Sequence, residues 1–166
     1  FHGRRLATLP HDGTVLHAEF DPAGERIVTC GEDRAARLWD ASTGQPIGGP
    51  LNHPDTVHWA TFSPDGHTLA TACGDGAVRF WDLPAGTARE QSIAIPAPAL
   101  CVLFHPDGRR VATVNGAEGA RLWDVSTQQP IGKLMPHRMT PGNPFDRIEF
   151  PPAFSRDGRF LMTAQY

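Results

Sequence analysis

The sequence predicts an all-β repeat protein, because one pattern returns along most of its 166 residues. The dipeptide Trp-Asp occurs at 39–40, 81–82 and 123–124, so the interval is 42 residues both times. Each pair closes a block that opens with phenylalanine, at Phe20, Phe62 and Phe104, and proline and glycine follow at constant offsets. A constant period of about 40 to 45 residues that ends in Trp-Asp is typical of the four-stranded blade of a β-propeller.

The first half of each block has the pattern of a β-hairpin. In the first block the apolar run Val15–Phe20 is followed by Pro-Ala-Gly, and in the next two blocks the turn is Pro-Asp-Gly, at 64–66 and 106–108. Asp-Gly between two β-like runs favours a tight turn, because glycine accepts a positive φ. The strand after the turn is predicted around short β-branched or aliphatic runs at 27–29, 69–71 and 111–113.

The second half of each block supplies two more strands. A turn at 31–34 or 74–76 precedes a strand that ends on Trp-Asp, and 42–44 and 126–128 turn the chain into an outer strand. That outer strand is predicted at 46–51 and 130–135. Proline is tolerated there, since an edge strand has one row of unpaired donors. No segment has a sustained helical period.

The number of strands indicates an incomplete ring. Residues 3–11 parallel 44–53, so an outer strand is expected near 4–9, before the three full sets of four strands. A fourth block begins at Phe154, 50 residues after the third, which indicates about eight inserted residues near 139–152 and an incomplete repeat at 137–166. Because propellers have about four to eight blades, we expect 1–166 to be one partial propeller of about four blades. The remaining blades of the same propeller are then partners of this arc.

Charge and composition exclude several classes of partner. The net charge is −3, with 15 basic residues scattered singly or in pairs, so no nucleic-acid footprint is present. No apolar run is long enough to span a membrane. The three cysteines, Cys30, Cys73 and Cys101, contain no Cys-x-x-Cys pair, which disfavours zinc. They are expected as small buried hydrophobes in a reducing compartment, which predicts a cytoplasmic protein.

These residues and spacings resemble the WD-repeat β-propeller family over residues 3–166, the insertion excepted. The resemblance implies a polar tetrad in each blade, in which His, Ser or Thr, Asp and the Trp of the third strand are joined by hydrogen bonds. The matching residues are His11, Thr29, Asp33 and Trp39, then His53, Thr71, Asp75 and Trp81, then Thr113 and Trp123, and finally His137 and Thr163. In the third block Ile95 and Ala117 replace His and Asp.

The tetrads indicate architecture rather than catalysis. A His–Asp–Thr set looks like a catalytic triad, but here it recurs every 42 residues, and an active site need not repeat. We therefore expect no catalytic residue, metal site or cofactor. The other histidines (His2, His17, His58, His67 and His105) are expected to be surface or strand residues. Arg37, Arg79 and Arg121 are expected to pack along strands with their charges in solvent, a phosphate-binding ring being the alternative.

The function expected for such an arc is that of a protein–protein interaction scaffold, because loops on a rigid frame carry recognition. The resemblance implies that proteins or peptides dock on the face that bears the loops before the innermost strands and the turns before the tetrad Asp. The candidate contact residues are Asp12, Thr14, Glu32, Pro54, Thr56, Gly74, Pro96, Pro98 and Gly116.

Two alternatives remain open at this point. Departures from a repeat map to loops that often bind, so Arg138, Met139 and Arg147 of the insertion are further candidate contacts, with a disordered insert as the other possibility. The repeat wording also resembles that of large bacterial multi-repeat proteins. This resemblance implies a sensor or regulatory domain of a larger signalling enzyme, such as a serine/threonine kinase, again without catalysis by the arc itself.

Overall fold

The computed structural model describes residues 7–83, 85–115, 118–136 and 152–163, with the backbone alone at 90 and 91. Strands form the regular structure of these ranges, and no helix occurs within them. The first sheet contains β1 (Val15–Phe20), β2 (Arg26–Gly31), β3 (Ala35–Asp40) and β4 (Leu51–Asn52). The second contains β5 (Val57–Phe62), β6 (Thr68–Cys73), β7 (Ala77–Asp82) and β8 (Thr87–Ala94). The third contains β9 (Ala99–Phe104), β10 (Arg110–Asn115), β11 (Gly119–Asp124) and β12 (Pro130–Pro136). A pair of short strands follows, β13 (Ala153–Phe154) and β14 (Leu161–Met162).

Every sheet is an antiparallel meander in which strands pair in chain order. The register repeats with the sequence: Phe20 pairs with Ile27, Phe62 with Leu69, and Phe104 with Val111. Antiparallel four-stranded sheets repeated in this way are the blades of a WD-repeat propeller, so the predicted all-β fold class is confirmed.

The predicted hairpin turns are formed as the sequence indicates. Gly66 and Gly108 adopt φ values of 71° and 69°, the left-handed conformation that glycine tolerates best. In the first sheet the Asp21 side chain accepts hydrogen bonds from the backbone N–H groups of Glu25 and Arg26, at 2.8 and 3.1 Å. The turns therefore fix where each hairpin reverses and set its register.

The outer strands differ from the prediction. Of the strand expected at 46–51, the structure keeps an isolated bridge between Pro46 and Trp39, and β4 begins at Leu51. The intervening Gly48-Gly49-Pro50 explains the break, because Gly48 adopts a φ of 73° and proline has no N–H for a ladder. The first outer strand, expected near 4–9, is not formed at 7–9, and residues 4–6 lie outside the described ranges. The outer strand expected at 130–135 forms as β12.

Apolar side chains fill the spaces between successive sheets. Val28 and Leu38 of the first sheet pack against Phe62, Leu69 and Trp81 of the second. Ala70 and Phe80 of the second sheet are the equivalents of Val28 and Leu38, and they pack against Val111 and Trp123 of the third sheet. Trp81 and Trp123 therefore help to join their own sheets to the preceding ones.

Candidate functional site

The first tetrad is a continuous chain of hydrogen bonds. The Trp39 indole N–H donates to Thr29 Oγ1 at 2.7 Å, and Thr29 Oγ1 lies 2.6 Å from His11 Nε2. On the other side of the ring, His11 Nδ1 lies 3.0 Å from Asp33 Oδ2. A hydroxyl that accepts from the indole and donates to Nε2 leaves Nδ1–H to donate to the carboxylate. His11 precedes β1 and Asp33 follows β2, so the network joins the loops at one edge of the sheet.

Arg37 is a fifth member of this network. It donates to Asp33 from the position four residues later, and the side chain of Asp33 is almost completely buried. Burial opposes ionisation of Asp33, but the hydrogen bonds and charges of Arg37 and His11 outweigh it, so the pKa of this carboxyl lies below its usual value. The carboxylate is therefore held ionised between two donors.

The second tetrad keeps the same buried end but a different outer end. Trp81 Nε1 donates to Thr71 Oγ1 at 3.0 Å, and Thr71 Oγ1 lies 2.8 Å from His53 Nε2. His53 Nδ1, however, lies 2.9 Å from the Leu51 carbonyl oxygen. The predicted contact between His53 and Asp75 is therefore wrong, because the His53 ring donates to the Leu51 backbone carbonyl instead.

Asp75 is held by Arg79. Both carboxylate oxygens accept from the guanidinium, at 3.1 and 2.6 Å. The hydrogen bond from Arg79 is the largest cause that lowers the pKa of Asp75, to about 2. Burial lowers the pKa of His53 to about 4, which the bond to Leu51 offsets only in part. His53 is therefore neutral at pH 7, and a carboxylate partner is not required.

In the third repeat only two of the four tetrad residues are present, Thr113 and Trp123. Trp123 Nε1 donates to Thr113 Oγ1 at 2.8 Å, and Ile95 is buried where the first two repeats have histidine. The turn after β10 is held by Asn115, whose Oδ1 accepts from the backbone N–H of Glu118 at 2.7 Å. Asn115, which the tetrad pattern does not include, fixes this turn. An asparagine at the start of a turn is a recognisable signal, because its side chain readily bonds the backbone ahead of it.

The fourth set cannot be assembled from the described residues. Thr163 is exposed, and its expected partner His137 lies outside the described ranges. The candidate contacts of the insertion, Arg138, Met139 and Arg147, also lie outside them, as does Gly116.

Two histidines outside the tetrads contact a neighbouring repeat: His17 lies in a strand, as expected, whereas His105 departs from the expected surface or strand position. His105 is buried rather than at the surface, and its Nε2 lies 3.0 Å from the Gly158 carbonyl, which links the third sheet to the β13–β14 hairpin. His17 of β1 stacks on Trp59 of β5 with ring centroids 3.7 Å apart. Burial lowers the pKa of His17 to about 4. Both positions join neighbouring repeats.

The arginine column also departs from the expectation of charges left in solvent. Arg37 and Arg79 form ion pairs with the aspartates four residues before them. The Asp-x-x-x-Arg spacing, present in two of the three repeats, is the signal that could have predicted these pairs.

The candidate contact residues gather at one edge of the three sheets. We call the loop rim the set formed by Asp12, Thr14, Glu32, Pro54, Thr56, Gly74, Pro96 and Pro98. All are exposed except Thr56 and Gly74, which are half-buried. Backbone bonds join the two loops in the first and second sheets: Glu32 N–H donates to the Thr14 carbonyl at 3.0 Å, and Gly74 N–H donates to the Thr56 carbonyl at 2.8 Å.

The charge of the loop rim changes from one sheet to the next. Its first sheet presents Asp12 and Glu32, whereas its third presents Pro96 and Pro98. One edge of the arc therefore offers an acidic surface at one end and an apolar one at the other.

The described residues contain no cluster of three or more His, Cys, Asp or Glu side chains that could hold a metal ion. Cys30, Cys73 and Cys101 are free, buried thiols, and burial raises the pKa of each. The expectation that they mark a reducing compartment stays a prediction. No helix long and apolar enough to cross a membrane occurs in the described part of the chain.

Comparison with known families identifies the repeat. The family model described as WD domain, G-beta repeat matches residues 3–40 and again residues 44–82. These two matches cover the repeats that contain the histidine-bearing networks. No curated protein matched the chain. The two family matches show WD repeats at residues 3–40 and 44–82, and the third sheet repeats their period and their Trp–Thr hydrogen bond.

Proposed function

We propose that this chain is a protein-interaction scaffold that receives other proteins or peptides on its loop rim and has no catalytic activity of its own. WD repeats commonly serve protein–protein interaction, and the loop rim is the surface of this chain that best fits that role. The observation that carries the proposal is that the exposed loops adjoin buried hydrogen-bond networks. His11, for example, is hydrogen-bonded to Thr29 and Asp33.

These hydrogen bonds matter because recognition of a partner needs exposed groups in a fixed arrangement. Asp12 adjoins His11, and Glu32 adjoins Asp33, so both acidic side chains emerge beside a network that is almost completely buried. Loops that are positioned by a rigid scaffold lose little conformational entropy on binding. The same His, Asp and Thr groups are engaged with one another and with tryptophan, which supports an architectural role rather than a chemical one.

The rim is tested by charge reversal at matched positions on opposite edges of the sheets. The rim variant is Asp12→Arg with Glu32→Arg, and the control is Glu25→Arg with Asp65→Arg, at the exposed turns of the opposite edge. Affinity capture with cross-linking mass spectrometry should give cross-links to the loop rim. The rim variant should lose the captured protein, and the control should keep it. Equal capture by both variants would refute the assignment of the rim.

We also propose that a further blade of the same repeat covers the open face of the first sheet. Phe20 of β1 is 60 % exposed, whereas the equivalent Phe62 of β5 is 4 % exposed because the first sheet covers it. Val15 is likewise 42 % exposed, and its equivalent Val57 is 0 % exposed. The open face thus has the chemistry of an interface between blades.

In the absence of that blade, the exposed face should drive association between copies. Size-exclusion chromatography with light scattering should show concentration-dependent oligomers of the 166-residue chain. Phe20→Arg should shift the distribution towards monomer, and Arg109→Gln, on an exposed turn of the third sheet, should not. A stable monomer at every concentration would refute the proposal.

A further inference from the structure

The third member of the arginine column differs from the other two in its counter-ion. Arg37 pairs with Asp33, and Arg79 pairs with both oxygens of Asp75. The residue four positions before Arg121 is alanine, and Arg121 makes no ion pair with any described residue. The third repeat therefore keeps the cation and lacks the carboxylate.

The surroundings of Arg121 leave it partly desolvated. Its guanidinium carbon lies 5.4 Å from the centre of the Trp123 ring. Its Nε is buried and has no hydrogen-bond partner within the described ranges, while the residue as a whole is half-buried. A cation that is partly buried without a counter-ion costs free energy, and an anion bound at the accessible part of the side chain would offset that cost.

The neighbouring part of the loop rim is apolar. Ile95 is buried at the position of the tetrad histidine, and Pro96 and Pro98 are exposed after it. Glu118, three residues before Arg121, donates its backbone N–H to Asn115 and forms no ion pair within the described ranges. Arg121 lies over Trp123, which packs in the same buried cluster as Ile95. Apolar surroundings strengthen the attraction between a cation and an anion, because they exclude water from the pair.

We propose that Arg121 binds the carboxylate of an acidic residue in a partner protein, on the apolar third of the loop rim. The partner would supply from outside the ion pair that Asp33 and Asp75 supply from within the first two repeats. A carboxylate is the anion chosen because it is the group that fills this position in both equivalent sites, and the planar guanidinium matches its geometry. This inference rests on the proposed scaffold function and names the chemistry of one of its contacts.

The test uses the full ¹⁵N-labelled chain and a small probe. N-acetyl-glutamate N-methylamide is titrated while the Nε–H signal of Arg121 is followed by NMR, with the glutamine analogue as the uncharged match and inorganic phosphate as the competing anion. The glutamate probe should give a saturable shift, and the glutamine analogue should bind at least about tenfold more weakly, a difference of about 1.4 kcal/mol.

Three variants separate the proposed contact from general effects. Ala117→Asp restores the acidic residue of the other two repeats, so it should weaken probe binding at least about tenfold while it preserves or raises the thermal midpoint. Arg121→Gln should abolish binding, read from the backbone amides around 121. Arg109→Gln removes one positive charge from the same sheet at its opposite edge and should leave binding unchanged.

The outcomes are decisive in both directions. Unaltered binding in Ala117→Asp, or equal binding of the glutamine analogue, would overturn the proposal even if Arg121→Gln failed to fold. Tighter binding of phosphate than of the glutamate probe would overturn the choice of a carboxylate. The scaffold function is tested separately by charge reversal on the first sheet, so a failure here leaves that result standing.

Discussion

The first and second sheets carry the same four tetrad residues at the same spacing, yet they complete their networks differently. In both, a buried threonine accepts from tryptophan and lies against histidine Nε2. His11 Nδ1 then meets Asp33, whereas His53 Nδ1 meets the Leu51 carbonyl. The buried end of the network is thus constant, and the outer end is decided by whichever acceptor lies nearest to the ring.

The two sheets also differ in what covers them. Apolar residues of β1 are open to solvent, and their equivalents in β5 are packed beneath the first sheet. The same residue type in the same column is therefore a core residue in one repeat and an exposed one in the other. Stability measurements on matched pairs of variants can separate the effect of position from the effect of residue type.

The largest effect is expected at the constant, buried end of the network. Trp81→Ala removes the indole that packs between the first two sheets and leaves Thr71 without its donor. We expect a loss of about 3–5 kcal/mol in the free energy of unfolding, as for other large aromatic truncations. Urea denaturation followed by circular dichroism measures it, with the exposed Phe160→Ala as control. A loss below about 1 kcal/mol would contradict the role of Trp81 as a joint between sheets.

Truncation of the matched phenylalanines isolates the effect of burial. Phe62→Ala should cost about 3 kcal/mol, because the ring is buried between the sheets and Arg26 stacks over it at 5.4 Å. Phe20→Ala should change the free energy of unfolding by less than about 0.5 kcal/mol, when both chains are measured at concentrations low enough for them to be monomeric. Differential scanning calorimetry of both variants provides the comparison. Equal losses would mean that the face of β1 is covered in solution.

A smaller effect is expected at the outer ends of the two networks. Asp33→Ala leaves His11 and Arg37 without their buried carboxylate, which should cost about 2 kcal/mol. Asp75→Ala should cost at most about 1 kcal/mol, since its pair with Arg79 is more exposed and His53 keeps its bond to Leu51. Chemical denaturation of the two alanine variants checks the ranking. A larger loss for Asp75→Ala than for Asp33→Ala would contradict the assignment of Leu51, rather than Asp75, as the hydrogen-bond partner of His53.

The repetitive parts of this fold could be predicted from sequence because they depend on local patterns. The Asp-Gly turns, the β-branched runs and the Thr–Trp spacing each act within one repeat, and the strands around them formed where they were expected. The break before β4 has a local cause as well, in Gly48-Gly49-Pro50, although the repeat pattern outweighed it in the prediction.

The differences arise where groups compete across the chain. His53 lies against a backbone carbonyl and His11 against a carboxylate, although an arginine pairs with the aspartate in both repeats, and the column of residue types does not encode that difference. His105 reaches Gly158 across the insertion, so no periodic signal relates the two residues. The tetrad pattern therefore predicted which residues meet in the interior more reliably than which polar groups meet at the rim.

The smallest expected effect is a pH dependence that distinguishes His53 from a carboxylate-bound histidine. Burial lowers the pKa of His53 to about 4, with Arg79 lowering it further and Asp75 and the Leu51 carbonyl opposing this. An unfolded histidine titrates near 6.5, so between pH 6.5 and about 4 the unfolded chain binds a proton that the folded chain does not. The contribution of neutral His53 is thus complete above pH 6.5 and is lost as the pH falls towards 4. From pH 6.5 to pH 5 the loss should be on the order of 1 to 2 kcal/mol.

His53→Gln should remove this part of the pH dependence while other groups retain theirs. His17 has a similarly lowered pKa, and Glu19 has a raised one that acts in the opposite direction, but both are present in the two proteins being compared. The measurement is the difference in unfolding free energy between the parent and His53→Gln chains at pH 6.5 and pH 5. Asp75 does not enter this window, because its pKa is about 2. If the difference between the chains stays constant across the window, His53 binds the same number of protons in the folded and the unfolded chain, and burial does not lower its pKa.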